Sequence, residues 1–227
     1  MRLHRPVPLL AAALAATAAF ALGAVPASAA PGSVTATAVL TAGGGAVAAG
    51  DTLAAPLAAN TRATFYSTAT STTGVTCATS QLAAKVLSNP AAPGTATESL
   101  TGLTFGSCTS NVTGVTSVRS LTVGNFPHVI AVDDGPGLPI TLTSGTAGPI
   151  QATAVLNSWF GTLTCSYQLS GAFTGAADNA GHSMAFRTEH FAKSGGSSLC
   201  PADGYFSATY GPVTDTSQAG SPAVVVN

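Results

Sequence analysis

Polar and apolar residues alternate in many short runs along this chain, and the longest run covers residues 159–169. In that segment, WFGTLTCSYQL, the odd positions are apolar or small, and the last four even positions are Thr, Thr, Ser and Gln. A period of two predicts a half-buried β-strand. We therefore expect Trp159, Leu163 and Tyr167 to face the core, with Cys165 on the same inner face.

Shorter runs of the same kind predict a strand in each of the segments 34–40, 62–66, 100–105, 115–123, 128–132, 140–143, 150–156 and 205–210. The phase of the alternation changes between Met184 and Phe191, which predicts a β-bulge near residues 188–190. Helical signals are weak, and only the segments 53–59 and 81–87 have the composition for a turn of helix, the first of them interrupted by Pro56. Gly, Pro and Asn clusters separate the runs, so the pattern predicts an all-β fold, an antiparallel sandwich or barrel.

The first 29 residues follow a different pattern. Two arginines precede an apolar run over residues 7–25, and a small-residue cleavage site then follows at Ala27, Ala29 and Ala30. This order is typical of a secretory signal peptide for the general secretory route. An uncleaved membrane anchor is the alternative, because a run of about 19 residues just spans a bilayer. The A-x-A site favours cleavage, and no later apolar run is as long.

Cleavage would leave one β-rich domain, residues 30–227, with five basic and eight acidic residues and a formal charge of −3. So few charges exclude the phosphate-neutralising surface that nucleic-acid binding requires. The many apolar residues and the low net charge also argue against disorder. We expect no membrane anchor after cleavage and no cofactor.

Four cysteines, Cys77, Cys108, Cys165 and Cys200, form an even number in a chain predicted to be exported, which favours disulfides. Three connectivities are possible. We favour Cys77–Cys108 and Cys165–Cys200, because these pairs close loops of similar length that resemble local hairpins. A zinc site is the alternative, but the chain lacks C-x2-C and H-x3-H spacing.

The two cysteine loops share an order of features. Each begins with a Thr-Cys strand, continues through Gln-Leu and an Asn-containing turn, and returns through a strand with a Phe. This likeness raises the hypothesis of two disulfide-closed β units, over about 60–125 and 150–215. The shared Ala, Thr, Gly and Ser composition explains the likeness equally well.

One string resembles a catalytic motif. Residues 181–185, GHSMA, approximate the G-x-S-x-G nucleophile elbow of α/β-hydrolases. The surroundings are β-like, however, and His190 follows Ser183 on the same predicted strand, so we prefer a hairpin strand. A metal site at His182, Glu189 and His190 is equally disfavoured, because the two histidines would lie about 27 Å apart on an extended strand. We therefore assign no catalytic or metal-binding residue.

Two further motifs have simpler explanations. Asp133-Asp134-Gly135 offers carboxylates to a calcium ion, but Asp-Gly is also a common hairpin turn, which we prefer. Asn111-Val112-Thr113 has the form of an N-glycosylation sequon, which is meaningful only in a eukaryotic secretory pathway.

The segment LCPADGYFSATYGPVTDTS (199–217) and the ending SPAVVVN (221–227) resemble uncharacterised secreted proteins of high-GC Gram-positive bacteria. The resemblance extends over roughly residues 159–227. It implies a secreted β-rich protein of unknown function and provides no catalytic residue to carry over. A weaker likeness, in composition alone, links the chain to the disulfide-bonded apoproteins that carry enediyne chromophores.

The shortage of titratable side chains favours a structural or interaction module, outside the cell or in its envelope, over an enzyme. A carrier of a small apolar ligand is the alternative, and it requires a cavity of several hundred Å³. An extracellular hydrolase is the second alternative, and it requires a cleft that unites a histidine or two carboxylates.

Overall fold

The structure, a computed structural model, describes residues 36–227, which form β-strands and no helix. The strands are β1 (Leu40–Ala42), β2 (Gly45–Ala46), β3 (Thr52–Pro56), β4 (Ala63–Tyr66), β5 (Gly74–Ser88), β6 (Thr95–Ser110), β7 (Val115–Gly124), β8 (His128–Asp133), β9 (Pro139–Thr143), β10 (Gln151–Ser158), β11 (Gly161–Leu169), β12 (Phe173–Asp178), β13 (Ser183–Gly196), β14 (Asp203–Tyr210), β15 (Thr214–Asp215) and β16 (Val224–Val226). The predicted all-β fold is confirmed. The predicted signal peptide, with Ala27, Ala29 and Ala30, lies outside the described residues.

Eight strands close into an antiparallel barrel in the order β12-β9-β8-β6-β5-β4-β14-β13, because β12 also pairs with β13. Three more strands, β11, β10 and β7, continue the sheet from the C-terminal half of β13, and we call them the extension. The strands β5, β6 and β13 are 14 to 16 residues long. Because of this length, β13 pairs with strands of both the barrel and the extension.

A small sheet of three strands, β16-β1-β2, lies apart from the barrel ladder, and we call it the cap. The turn between β12 and β13 holds it in place. The side chain of Asn179 donates to the carbonyl of Val226 (2.7 Å) and accepts from its N–H group (2.9 Å). The Nδ1 atom of His182 lies 3.2 Å from the carbonyl oxygen of Val224. The edge strand β16 is thus hydrogen-bonded to a barrel turn as well as to β1.

The predicted bulge in β13 is confirmed, and it lies at Arg187 and Thr188, where the register with β14 shifts between Phe186 and Glu189. Before the bulge β13 pairs with β12, and after it β13 pairs with β11. The bulge therefore marks the point where the barrel and the extension separate. The carboxylate of Glu189 accepts the backbone N–H group of Thr174 there, at 2.9 Å, which satisfies a donor that the split would leave unpaired.

Most of the predicted strands are confirmed, since the segments 62–66, 100–105, 115–123, 128–132, 140–143, 150–156 and 205–210 coincide with or lie within strands, apart from single residues at two ends. Of the described residues of the expected strand at 34–40, only Leu40 lies in a strand, where it begins β1. The expected helical turns are wrong, because 53–59 lies largely in β3 and 81–87 lies within β5. These two strands pair with each other. Tertiary pairing has therefore overridden the helix propensity of their alanines.

The placement of Trp159 in the core is also wrong. The strand β11 begins at Gly161, which pairs with Ser158, so Trp159 and Phe160 form the two-residue turn of the β10–β11 hairpin. Gly161 has a φ of +108°, a conformation that favours glycine. The prediction is confirmed for Cys165 and Tyr167, which are buried, whereas Leu163 is half-buried and packs against the core.

Both predicted disulfides are confirmed. Cys77 and Cys108 lie directly opposite each other on β5 and β6, and Cys165 of β11 is bonded to Cys200 in the loop between β13 and β14. The first bridge closes one hairpin, whereas the loop closed by the second contains β12 and β13. The two cysteine loops therefore differ in strand content.

Aromatic rings form a continuous series through the core, from the extension to the far side of the barrel. Neighbouring rings have centroids 4.9 to 6.5 Å apart, in the order Tyr167, Phe65, Phe191, Phe173, Phe186 and Tyr210. A branch leaves the series at Phe173, which contacts Phe206, and Phe206 in turn contacts Phe105. Phe173 contacts three other rings and is buried. Edge-to-face and tilted pairs at these distances add stability beyond the area that they bury.

We expect Phe173→Ala to lower the free energy of unfolding by about 3–5 kcal/mol, because it leaves a cavity at the junction of the aromatic series. Denaturant unfolding monitored by circular dichroism measures the change. Phe160→Ala is the matched control, since this exposed side chain should contribute within about 0.5 kcal/mol. Equal effects of the two substitutions would contradict the role of the series.

The two disulfides should contribute similar stability, because they span 31 and 35 residues. Replacing either pair with serine should lower the free energy of unfolding by about 4 kcal/mol, through the greater entropy of the unfolded chain. Chemical denaturation of the two double variants beside the oxidised wild type measures this. A loss below about 1 kcal/mol for either pair would contradict the expectation.

Candidate functional site

The catalytic-looking string does not assemble a triad. Ser183 is the first residue of β13, and the Nδ1 atom of the neighbouring His182 is directed to a carbonyl of the cap. His190 lies seven residues further along the same strand, beyond the bulge. Its Nε2 atom is 2.7 Å from Oδ1 of Asp203 on β14. The structure thus directs the two histidines to different partners, neither of which is Ser183.

The acidic residues that the sequence analysis considered as metal ligands form hydrogen bonds in turns and at the point where the barrel and the extension separate. The carboxylate of Asp133 accepts the N–H group of Gly135 (2.8 Å) and the hydroxyl of Thr95 (2.7 Å), and these bonds lower the pKa of Asp133. Asp134 accepts the N–H group of Gly94 at 3.0 Å. Burial raises the pKa of Glu189, although backbone hydrogen bonds partly offset this. Residues 36–227 contain no group of three His, Cys, Asp or Glu side chains that could hold a metal ion.

Asn111 of the sequon-like triplet has a local structural role. Its side-chain oxygen accepts the N–H group of Gly74 at 2.8 Å, and its side-chain nitrogen donates to the carbonyl of Thr72 at 2.9 Å. The side chain thus ties the turn after β6 to the loop before β5.

Three buried acidic or histidine residues were missed by the sequence analysis: Glu98, His128 and Asp215. Glu98 faces inward on β6 beside a cavity of about 30 Å³ next to the cap, and burial raises its pKa to about 7. His128 faces inward on β8, and its Nε2 atom donates to the carbonyl of Gly124 at 2.9 Å. Burial lowers the pKa of His128, and this hydrogen bond partly offsets the effect. The signal for Glu98 was present, because it shares the phase of Ala96 and Leu100.

The spaces between the core side chains are small. The cavity at the centre of the core, beside Phe173 and His128, has a volume of about 30 Å³, and the cleft beside the extension has about 50 Å³. A small-molecule site usually needs about 300–1,000 Å³. None of these three core spaces, the cavity beside Glu98 included, has the volume that the carrier hypothesis requires. The two larger recesses, of about 480 Å³ beside Pro56 and Phe105 and about 360 Å³ beside Thr174 and Glu189, are open grooves on the surface and not enclosed cavities.

Four connections meet at one end of the molecule, and we call them the loop end: residues 67–73, 111–114, 159–160 and 197–202. The N–H group of Trp159 donates to the carbonyl of Gly114 at 3.1 Å. The cleft of about 50 Å³ is lined by Ser67, Val112 and Leu199, one from each of the other three connections. These contacts join the four loops into a single surface.

The loop end exposes three large apolar side chains and has no charged residue in its four loops. Trp159 is 74% exposed, Phe160 82% and Leu199 64%. Large apolar residues exposed together are unusual on a soluble domain and mark interaction sites. The sequence analysis did not single out Phe160 or Leu199. The only sequence signal for this surface is that the four loops lack charged residues. That signal predicts a shared surface only once the loops are known to be neighbours.

Local bonds fix the backbone that carries these side chains. The hydroxyl of Ser158 donates to the carbonyl of Gly161 (2.8 Å) and accepts the N–H group of Phe160 (3.2 Å). The Cys165–Cys200 disulfide anchors the loop that carries Leu199 to β11. Lys193 supports the same loop by donating to the carbonyl of Ser197 at 2.7 Å. The apolar side chains therefore project from a cross-linked frame.

No protein-family model matches the chain, and neither a curated protein nor a solved structure shows significant similarity to it. Within the described part of the chain, no helix has the length and apolar character needed to cross a bilayer. Function must therefore be inferred from the surfaces themselves.

We expect Glu98→Gln to change the pH dependence of stability. Because burial raises the pKa of Glu98 from 4.5 to about 7, the folded protein binds this proton more tightly than the unfolded chain. As the pH rises from about 4.5 to 7, the ionisation of Glu98 should therefore lower the free energy of unfolding of the wild type by about 3 kcal/mol. The Glu98→Gln variant lacks this ionisable group. The free energy of unfolding of the variant minus that of the wild type should therefore increase by about 3 kcal/mol over the same pH range.

Urea unfolding of both proteins at pH 4.5, 6 and 8 measures this difference. His128 and Glu189 titrate in both proteins, so their effects cancel in the comparison. A difference between variant and wild type that stays constant across these pH values would contradict the assignment.

Proposed function

We propose that this protein is an exported interaction module that binds a protein partner through the apolar side chains of the loop end. The observation that carries the proposal is the exposure of Trp159, Phe160 and Leu199 in loops of the loop end, the first two on a hydrogen-bonded turn and the third in a loop anchored by a disulfide. Tryptophan is enriched among the residues that dominate binding energy at protein interfaces. A rigid frame also lowers the entropy that is lost on binding.

The chemistry of the loop end favours a protein over a lipid surface. Stable binding to a membrane surface usually combines apolar insertion with attraction between basic residues and anionic lipids. The four loops contain no lysine or arginine. The cleft beside Leu199 and Pro201 offers a recess of about 50 Å³, which suits a small side chain of a partner.

Two observations support action outside the reducing cytoplasm. All four cysteines are paired in disulfides, which indicates an oxidising compartment. The N-terminal order of arginines, apolar run and A-x-A site favours export to such a compartment.

The carboxylates of Asp133, Asp134 and Glu189 accept backbone N–H groups, which supports a binding module over a hydrolase.

Site-specific photo-crosslinking tests the proposal. With Phe160→p-benzoylphenylalanine in the otherwise native chain, ultraviolet irradiation of the producing cells should give one discrete adduct, which mass spectrometry identifies as a protein. The adduct should disappear when Trp159→Ser is added. Leu87→p-benzoylphenylalanine is the matched control, because Leu87 is exposed at the opposite end of β5.

Three results would argue against the proposal. In the first, crosslinkers at positions 87 and 160 give the same adducts. In the second, position 160 is crosslinked only to lipid. In the third, it is crosslinked only to a second copy of this chain. Co-sedimentation with vesicles of neutral phosphatidylcholine tests the lipid alternative directly, and wild-type protein should remain in the supernatant.

A further inference from the structure

We propose that the cavity between the cap and the barrel binds a small ammonium ion, with the carboxylate of Glu98 as its main partner. None of the residues that line this cavity lines the cleft at the loop end. The inference is therefore independent of the proposed protein partner.

The side chain of Glu98 is the observation that carries the proposal. It is 4% exposed, faces inward on β6 and lines the cavity. Its carboxyl group forms no hydrogen bond with another described residue, and burial is the one cause of its raised pKa. A buried carboxylate without a partner is costly, so its ionised form requires a counter-charge or hydrogen-bond donors from outside the described chain.

The lining of the cavity is acidic. Asp178 and His182, which belong to the β12–β13 hairpin, line the same space as Glu98, and the lining includes no lysine or arginine. An anion would therefore meet two carboxylates and no fixed positive charge. A cation instead finds a complementary charge, and at the buried end this charge is little screened by water.

Other charged residues of the surrounding strands do not line the cavity. Lys85 is exposed on β5 and lies opposite Ser99, whose side chain alternates to the other face of β6 from that of Glu98. Asp133 of β8 accepts an N–H group in the turn after its own strand, and Asp215 does the same after β15. No basic side chain among the lining residues is therefore available to neutralise Glu98.

The size and the donor set of the cavity favour ammonium over a metal ion. Its volume of about 30 Å³ equals the share of one water molecule in the liquid, and ammonium is of similar size. A structural metal site usually has several side-chain ligands, and the described residues provide no group of three. Ammonium requires only acceptors. Besides Glu98, the lining includes His182, whose Nε2 atom keeps a lone pair because Nδ1 donates to the carbonyl of Val224.

The cavity reaches the surface at the β12–β13 turn. Asp178 is exposed and His182 is partly exposed, and both line the space that has Glu98 at its buried end. The carboxylate of Asp178 accepts the N–H groups of Ala180 and Gly181, which holds it at the rim. A cation that enters would therefore pass an exposed carboxylate before it reaches the buried one.

Thermal unfolding of the full chain, with its disulfides formed, tests the proposal. At pH 8 the carboxyl group of Glu98 is mostly ionised, because burial raises its pKa to about 7. Ammonium chloride or methylammonium chloride at about 100 mM should then raise the Tm of the wild type by at least about 2 °C over sodium chloride at the same concentration. Tetramethylammonium chloride should not, because this ion is too large and has no N–H donor.

Variants then locate the site. Glu98→Gln keeps the shape of the side chain and removes its charge, so the rise in Tm should fall below about 0.5 °C. Asp133→Asn is the matched control, because it removes one carboxylate outside the cavity and should keep the rise of the wild type. At pH 5.5 protons compete with the cation for Glu98, so the rise in the wild type should shrink to less than about half.

The proposal is overturned if neither ammonium salt raises the Tm of the wild type more than sodium chloride does. It is also overturned if Glu98→Gln retains the rise, or if tetramethylammonium gives the same rise as ammonium. The pH dependence expected for Glu98→Gln without ammonium would survive each of these results. The protein-partner proposal has its own readout at position 160, so either proposal can fail without the other.

Discussion

The aromatic series from Tyr167 to Tyr210 is the interaction on which the rest of the structure depends. Ala, Thr, Gly and Ser dominate this chain and bury little apolar surface each, so the rings supply much of what holds the sheet together. Phe65 packs directly over Gly204 on the adjacent strand, a place where any larger residue would collide with the ring. The series joins the extension to the barrel and thereby fixes where the loop end projects.

Several polar side chains form hydrogen bonds that hold the strands and turns in place. Glu189 accepts a backbone donor where the sheet splits, and Asn179 bonds to the edge strand of the cap. Asp215 is fully buried and accepts from Ser217 and Gln218 in the turn that leads to β16. The side chains of Glu189, Asn179 and Asp215 thus hold the backbone in place through hydrogen bonds.

Alternation in the sequence was sufficient to predict the all-β fold and most strands, and similar loop lengths gave the correct disulfides. It misplaced Trp159 because a period of two can continue through a two-residue turn without interruption. It assigned helix to Ala-rich segments whose strand partner lies about 30 residues away. The loop end depends on strand order, which no local pattern in this chain specifies.

The Cys165–Cys200 bridge couples the geometry of one loop to the redox state of its surroundings. In a reducing compartment the loop with Leu199 would lose its covalent link to β11 and would be held by hydrogen bonds alone, among them the bond from Lys193 to the carbonyl of Ser197. Disulfides persist in oxidising compartments, so the cross-linked form of this loop is the form expected there.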